Sequence, residues 1–304
     1  MSWTPPFITL YCEVSPMTPV FALATSLMWG LADFGGGLLT RRMPALTVVL
    51  VSQLLAVLAL GAIVIGTGGW SEAGPQLWYA VAAGVVGPAA MLAFYKALAL
   101  GPMGVVSPLG ALGGVAVPLG VGLVLGERPG ILQFAGIAVA VAGVVLASGP
   151  SLGGAPVQRQ TLLLTLVAAF GFGSVMALIS EASHNLTGLF LALFVQRLCN
   201  VVVGAGALYA SVRRGNPALP EEGWSAIRSA LPALAFVGLA DVAANGTYSI
   251  AANNGPVTVA AVLASLYPVV TALAARGVLR EQLRTVQAAG AGLALVGTVL
   301  LATG

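Results

Sequence analysis

Ten stretches of about 20 mostly apolar residues, each with at most one charge, follow one another with only short polar connections between them, and this constrains the chain more than any other feature. They run roughly over 18–39, 45–66, 76–99, 104–125, 130–148, 160–180, 187–210, 230–251, 256–278 and 285–303. Charged residues make up 7% of the chain and apolar ones 59%, whereas a soluble domain carries about 25% charged residues. A chain this poor in charge cannot cover a folded surface with polar groups, so its solvent is lipid. The expected fold class is an all-α membrane protein of ten transmembrane helices. The 40 glycines and 18 prolines fit the same environment, because both are more frequent in transmembrane than in soluble helices. The longest connection, RRGNPALPEEGWSAIRS (213–229), is also the most polar.

The ten spans divide into two copies. With Tyr95 set against Tyr248 and one extra residue allowed, Gly101-Pro102 falls on Gly255-Pro256, Glu127 on Glu281, Gln133 on Gln287, Gly136 on Gly290 and Gly143 on Gly297. Earlier in the halves, Gly30 matches Gly173 and Gln53 matches Gln196 at a constant offset. One such match could arise by chance; this many in register imply duplication. Each half has five spans, an odd number, so the halves insert in opposite orientations. The organisation expected is a tail over 1–16, a first repeat over 17–150 and a second over 158–304, two inverted five-helix repeats. The tail carries Glu13 and no Lys or Arg, so it lacks the positive flank of a signal peptide. It reads either as a disordered segment or as sequence preceding a true start at Met17.

The run YKALALGPMGVVSPLGALGGVAVPLGVGLVLGERPGILQFAGIAVAVAGVVLAS (95–148) resembles the EamA repeat of the drug/metabolite transporter superfamily, and the run from Tyr248 to Thr303 resembles its second copy. Trp29-Gly30 and Gly126-Glu127 fit the resemblance too; in the second copy Arg280-Glu281 keeps the Glu and departs at the Gly. The resemblance implies a ten-helix secondary transporter, often an exporter of metabolites, amino acids or drugs; the expectation is a transporter of a small metabolite in the plasma (inner) membrane, coupled to a proton or another ion gradient. It implies no enzyme activity and no cofactor, and it does not identify the solute. The expected partners are the bilayer, the solute, a coupling proton and at most a second copy of the chain. The charge is too small and scattered to suggest nucleic acid. Two alternatives stand beside this reading. A passive channel is disfavoured by duplication and by charges within spans. An intramembrane enzyme is disfavoured because the only histidine, His184, lies at a span end, with neither a metal-ligand set nor a nucleophile motif around it.

Candidate site residues are polar groups where lipid would penalise them. A charge at the bilayer centre costs about 2.5–3.5 kcal/mol, so such residues usually face the protein interior and pair. Asp33, Lys96, Arg197 and Asp241 interrupt spans 1, 3, 7 and 8. Asp33 and Lys96 are near enough to span ends for snorkelling to compete with function. Arg197, beside Gln196, cannot shed its proton and needs an anion, either an acidic side chain or a solute carboxylate. Asp241 shares a helical face with Asn245 and Tyr248, at spacings of four and seven. Asp241 is the expected coupling carboxylate, with Lys96 or Arg197 as its cation across facing spans 3 and 8. On this expectation Asp241→Asn uncouples flux and spares folding. Pro108, Pro118 and Pro268 lie in spans 4 and 9, where a lost backbone hydrogen bond breaks the helix and exposes groups that could line a cavity. Small-residue pairs Gly110/Gly114 and Gly122/Gly126 suit close helix packing. Glu127 and Glu281 are read as structural tethers at the ends of spans 4 and 9. Most connection arginines (Arg41, Arg42, Arg159, Arg213, Arg214, Arg228, Arg280 and Arg284) fall on one side, which by the positive-inside rule puts both termini outside. The family resemblance implies both termini in the cytoplasm.

Overall fold

The structure is a computed structural model that describes residues 17–113, 117, 130–147, 158–183, 185–221, 223–254, 260, 263–264, 266–280 and 285–303. Among the described residues there is no strand. The α-helices with bounds among the described residues are, in order, α1 (Met17–Thr40), α2 (Ala45–Thr67), α3 (Leu77–Leu100), α4 (Met103–Ala111), α5 (Ile131–Ala147), α6 (Arg159–Ala182), α7 (Leu186–Arg213), α8 (Trp224–Asn253), α9 (Tyr267–Leu279) and α10 (Thr285–Thr303). Six of them, α1, α2, α3, α6, α7 and α8, are long and apolar enough to cross a membrane. Their outer faces carry large exposed apolar residues such as Leu58, Phe170 and Val202, which lipid solvates and water would not. Exposed aromatics gather at helix ends. Trp70, Trp78 and Tyr79 flank the α2–α3 connection, and Tyr209 and Trp224 flank the α7–α8 connection, as in interfacial belts.

The packing is that of two related halves. α5 packs on α10, and α2 on α7; α3 packs on α6 as α8 does on α1; α3 meets α7 as α8 meets α2; and α1 crosses α9 as α6 crosses α4. Each pair maps onto itself or onto the next when helices 1–5 are exchanged with 6–10, which is a pseudo-two-fold. The matched glycines make the crossings close. A Cβ on Gly30 would lie 2.6 Å from the Tyr267 carbonyl oxygen, and one on Gly173 would collide with the carbonyl of Gly113, the residue that aligns with Tyr267. Gly143 brings α5 onto α10, where a Cβ would lie 2.8 Å from the Gly290 carbonyl.

Several boundaries differ from the sequence expectation. α8 begins at Trp224, so part of the expected connection is helical; Gly223, with φ of 66°, makes the turn, and Ile227 then enters the core. The fourth helix is interrupted by a turn at Leu112, after Pro108. A turn at Leu266 precedes α9, whose first turn holds Pro268. In the repeat alignment Leu112 and Leu266 are the same position, so both halves break there. Pro268 therefore opens a helix, where a missing N–H costs nothing, rather than kinking its interior. Pro88 and Pro232 are helix-interior prolines that the sequence reading passed over. Pro118, Gly114, Gly122, Gly126, Glu127, Glu281, His184 and the tail 1–16 lie outside the described residues, as do the side chains of Gln133 and Gln287.

Candidate functional site

Arg197 sits near the middle of α7 and is 8% exposed. Its guanidinium donates to Asp241 of α8 through Nη2 and to Gln53 Oε1 of α2 through Nη1 at 3.0 Å. A buried guanidinium is tolerable only when paired and hydrogen-bonded. Here the charge partner comes from the same half of the chain and the amide partner from the other. The Asn200 carboxamide extends the network, one amide atom 3.1 Å from Gln53 Oε1 and the other 2.9 Å from the Gly84 carbonyl oxygen. α3 reaches this turn of α7 because Gly84 and Gly87 have no side chains. A Cβ at Gly84 would lie 2.7 Å from the Gln196 carbonyl oxygen, and one at Gly87 would lie 2.7 Å from the Asn200 side chain. Gln196 is buried beside Arg197; its Oε1 and the Arg197 Nε find no hydrogen-bond partner among the described residues.

Asp33 of α1 lies across from this network and feels the charge of Asp241. Tyr95 of α3 feels Asp33, Asp241 and Arg197 together, and Tyr267 of α9 feels Asp33. The glycine run 35–37 lets these elements close around α1. Gly36 takes the Tyr95 ring, Gly35 takes Val237 of α8, and Gly37 takes Leu98 and Met103. One turn before Asp33, Trp29 stacks at 6.0 Å on Tyr248 and at 5.9 Å, edge to face, on Tyr267. Thr271 Oγ1 ties α9 to α1 by donating to the Gly30 carbonyl at 3.0 Å. Trp29, Asp33, Tyr248 and Tyr267 are all only partly buried, unlike Arg197, Gln53 and Gln196.

The candidate residues therefore separate. Asp33, Gln196, Arg197, Asp241 and Tyr248 converge. Asn245 is on the same helix, but its amide donates at 2.8 Å to the Asp241 backbone carbonyl one turn back and so satisfies its own helix. Lys96 is exposed between buried Tyr95 and Ala97 and is not part of the cluster. The expectation that spans 3 and 8 face each other is corrected: α3 packs on α6 and α7, α8 on α1 and α2, and Arg197 rather than Lys96 pairs with Asp241. Pro108 and Pro268 are buried beside the two helix breaks. Sequence reasoning missed Gln53, Tyr95, Asn200 and Tyr267 as members of the cluster. The signal was present for two of them, since Gln53 and Tyr95 align with the chosen Gln196 and Tyr248.

Comparison with known proteins agrees with this architecture. A crystal structure similar over 94% of this chain and 96% of its own superimposes with a TM-score of 0.61 at 18% identity, which speaks to the fold alone. No curated protein sequence matches the chain. The profile of the EamA-like transporter family matches twice, over residues 17–149 and 159–303. With two such repeats over nearly its whole length, the chain belongs to the EamA-like transporter family and is a multi-pass membrane transporter of the drug/metabolite superfamily.

Proposed function

We propose that this chain is a ten-span secondary transporter of a small metabolite, with inverted repeats at 17–150 and 158–304 and a solute site at the Asp33–Arg197–Asp241 cluster. The observation that carries the reading is that both halves contribute to one charge cluster: Arg197 and Asp241 of the second half are joined to Gln53 of the first, and Asp33 of the first lies within electrostatic reach of Asp241. A network spanning the repeat interface is remade whenever one half rocks against the other, which is how inverted-repeat transporters alternate access. Helix breaks at the equivalent positions Leu112 and Leu266 add backbone groups that a cavity could use. Coupling to a proton or other ion gradient is suggested by the carboxylates within the spans, and export from the plasma membrane by what is common in the family.

The test is flux. Purified protein in liposomes is first screened against a metabolite panel for thermal stabilisation, and the hits are then assayed under an imposed proton gradient. Saturable uphill accumulation that a protonophore collapses is the expected result. Non-saturating downhill leak would make the chain a channel, and chemical conversion of the solute would make it an enzyme.

A further inference from the structure

The charged groups that converge at the cluster do not balance. Asp33 and Asp241 supply two carboxylates and Arg197 one guanidinium. Arg197 already holds Asp241 on one terminal nitrogen and Gln53 on the other, and its remaining donor, Nε, is buried. Among the described residues no hydrogen bond or ion pair reaches Asp33, and its charged neighbour is another carboxylate. The groups within electrostatic reach of it from the helices packed on α1 are Asp241 on α8, Tyr95 on α3 and Tyr267 on α9. None of these is a cation, and Lys96 is exposed outside the cluster.

Accessibility divides the cluster in the same way. The guanidinium is sealed although its partner Asp241 is partly exposed, while Asp33, Trp29, Tyr248 and Tyr267 each keep accessible surface. Trp29 is four residues before Asp33 and so shares its helix face, and Trp29 holds both Tyr248 and Tyr267 in ring contact. A carboxylate one turn from Trp29, which carries Tyr248 and Tyr267 on its ring, matches a cation on an apolar body. The carboxylate neutralises the charge, and the ring faces attract it through their quadrupoles.

We propose that the solute this site takes is an organic cation, an amine or a quaternary ammonium, with Asp33 as its counter-charge and Trp29, Tyr248 and Tyr267 as its aromatic wall. This rests on the transporter reading and names its substrate class. Arg197 then orients Asp241 and joins the halves, and does not meet a solute carboxylate. A proton competes with the cation for Asp33, so binding weakens as the pH falls.

The full chain in lipid nanodiscs is titrated with benzyltrimethylammonium, with the uncharged isostere neopentylbenzene, and with benzoate. The ammonium is expected to bind about tenfold or more tighter than its isostere. Asp33→Asn should remove that difference and Asp33→Glu retain it. Trp29→Ala should weaken ammonium binding about tenfold, with Trp29→Phe intermediate. The proposal is overturned if the wild type binds the ammonium no tighter than the isostere, or prefers benzoate; that comparison needs no variant to fold. Uptake into liposomes separates the two readings. Saturable flux of anionic or neutral solutes without ammonium binding would leave a transporter and sink the cation assignment. Tight Asp33-dependent ammonium binding with no flux of any kind would keep the site and sink the transporter.

Discussion

Removing the Asp241 carboxylate should unfold this protein more readily, contrary to what its sequence alone suggests. Asp241→Asn leaves the Arg197 guanidinium at 8% exposure with Gln53 as its remaining side-chain partner. Breaking a buried pair by deleting one member costs about 3–5 kcal/mol, because an uncompensated charge stays behind. The Asp241 side chain is 22% exposed and Gln53 remains at 3.0 Å, so the loss should lie near the lower end, about 3 kcal/mol. At roughly 2–4 °C per kcal/mol, the melting midpoint in detergent should fall by about 6–12 °C. Replacing both members, Arg197→Met with Asp241→Leu, should restore the midpoint to within about 3 °C, since apolar substitutes of similar size often match a buried ion pair. Differential scanning fluorimetry of the three proteins measures this. A single variant melting with the wild type, or a double variant no better than the single one, would refute the view that Arg197 is held by this pair. Transport should be lost in both variants, so stability and function come apart in the double one.

Three further outcomes follow from the packing and the charges. Gly30→Val should yield little folded protein, because its Cβ would lie 2.5 Å from the Val270 Cβ and 2.6 Å from a carbonyl oxygen that cannot yield. Gly277→Ala, with nothing within 4 Å, should gain up to about 1 kcal/mol; size-exclusion profiles and melting midpoints compare the two. Gln53→Leu removes an acceptor from a charged donor and should cost about 2 kcal/mol, and in combination with Asp241→Asn the two losses should not add, as melting curves of a double-mutant cycle would show. On the arginine asymmetry, a fluorescent reporter inactive outside the cytoplasm and fused to Gly304 should stay dark; bright cells would support the orientation implied by the family instead.

How much of this was legible beforehand depended on whether a residue's role repeats between the halves. A single Cβ added at Gly30 or at Gly173 would clash with a carbonyl oxygen in equivalent crossings, so aligning them in sequence already located those crossings. The edges of α8 were less legible. Gly223 shifts its start to Trp224, and only burial of Ile227 shows that the polar stretch WSAIRS is helical. The partner of Asp241 could not be settled from spacing, because Lys96 and Arg197 are both cations within spans and their distance from Asp241 depends on how helices pack. The aromatic wall was invisible as a unit, since Trp29, Tyr248 and Tyr267 come from three helices and Trp29 is more than 200 residues from the other two along the chain.

The site is built where the repeats disagree. In the alignment that puts Gly30 on Gly173, Asp33 falls on Met176 and Arg197 on Leu54; in the one that puts Tyr95 on Tyr248, Asp241 falls on Pro88. Met176 and Leu54 are exposed, 43% and 45%, on the outer faces of their helices, whereas Asp33 is partly buried and Arg197 is sealed. Duplication would have supplied a symmetric frame whose glycine-mediated crossings both halves must keep. Charge cannot be kept symmetrically at the same low cost, because a second copy of each ionised group within the spans would add about 2.5–3.5 kcal/mol without a new partner. A single asymmetric cluster on a symmetric frame gives the interface one place where the two halves exchange charge contacts. Restoring symmetry by Leu54→Arg should therefore destabilise the fold without creating a second site, and a variant that instead inserted normally and bound two equivalents of ammonium would show that the asymmetry is incidental.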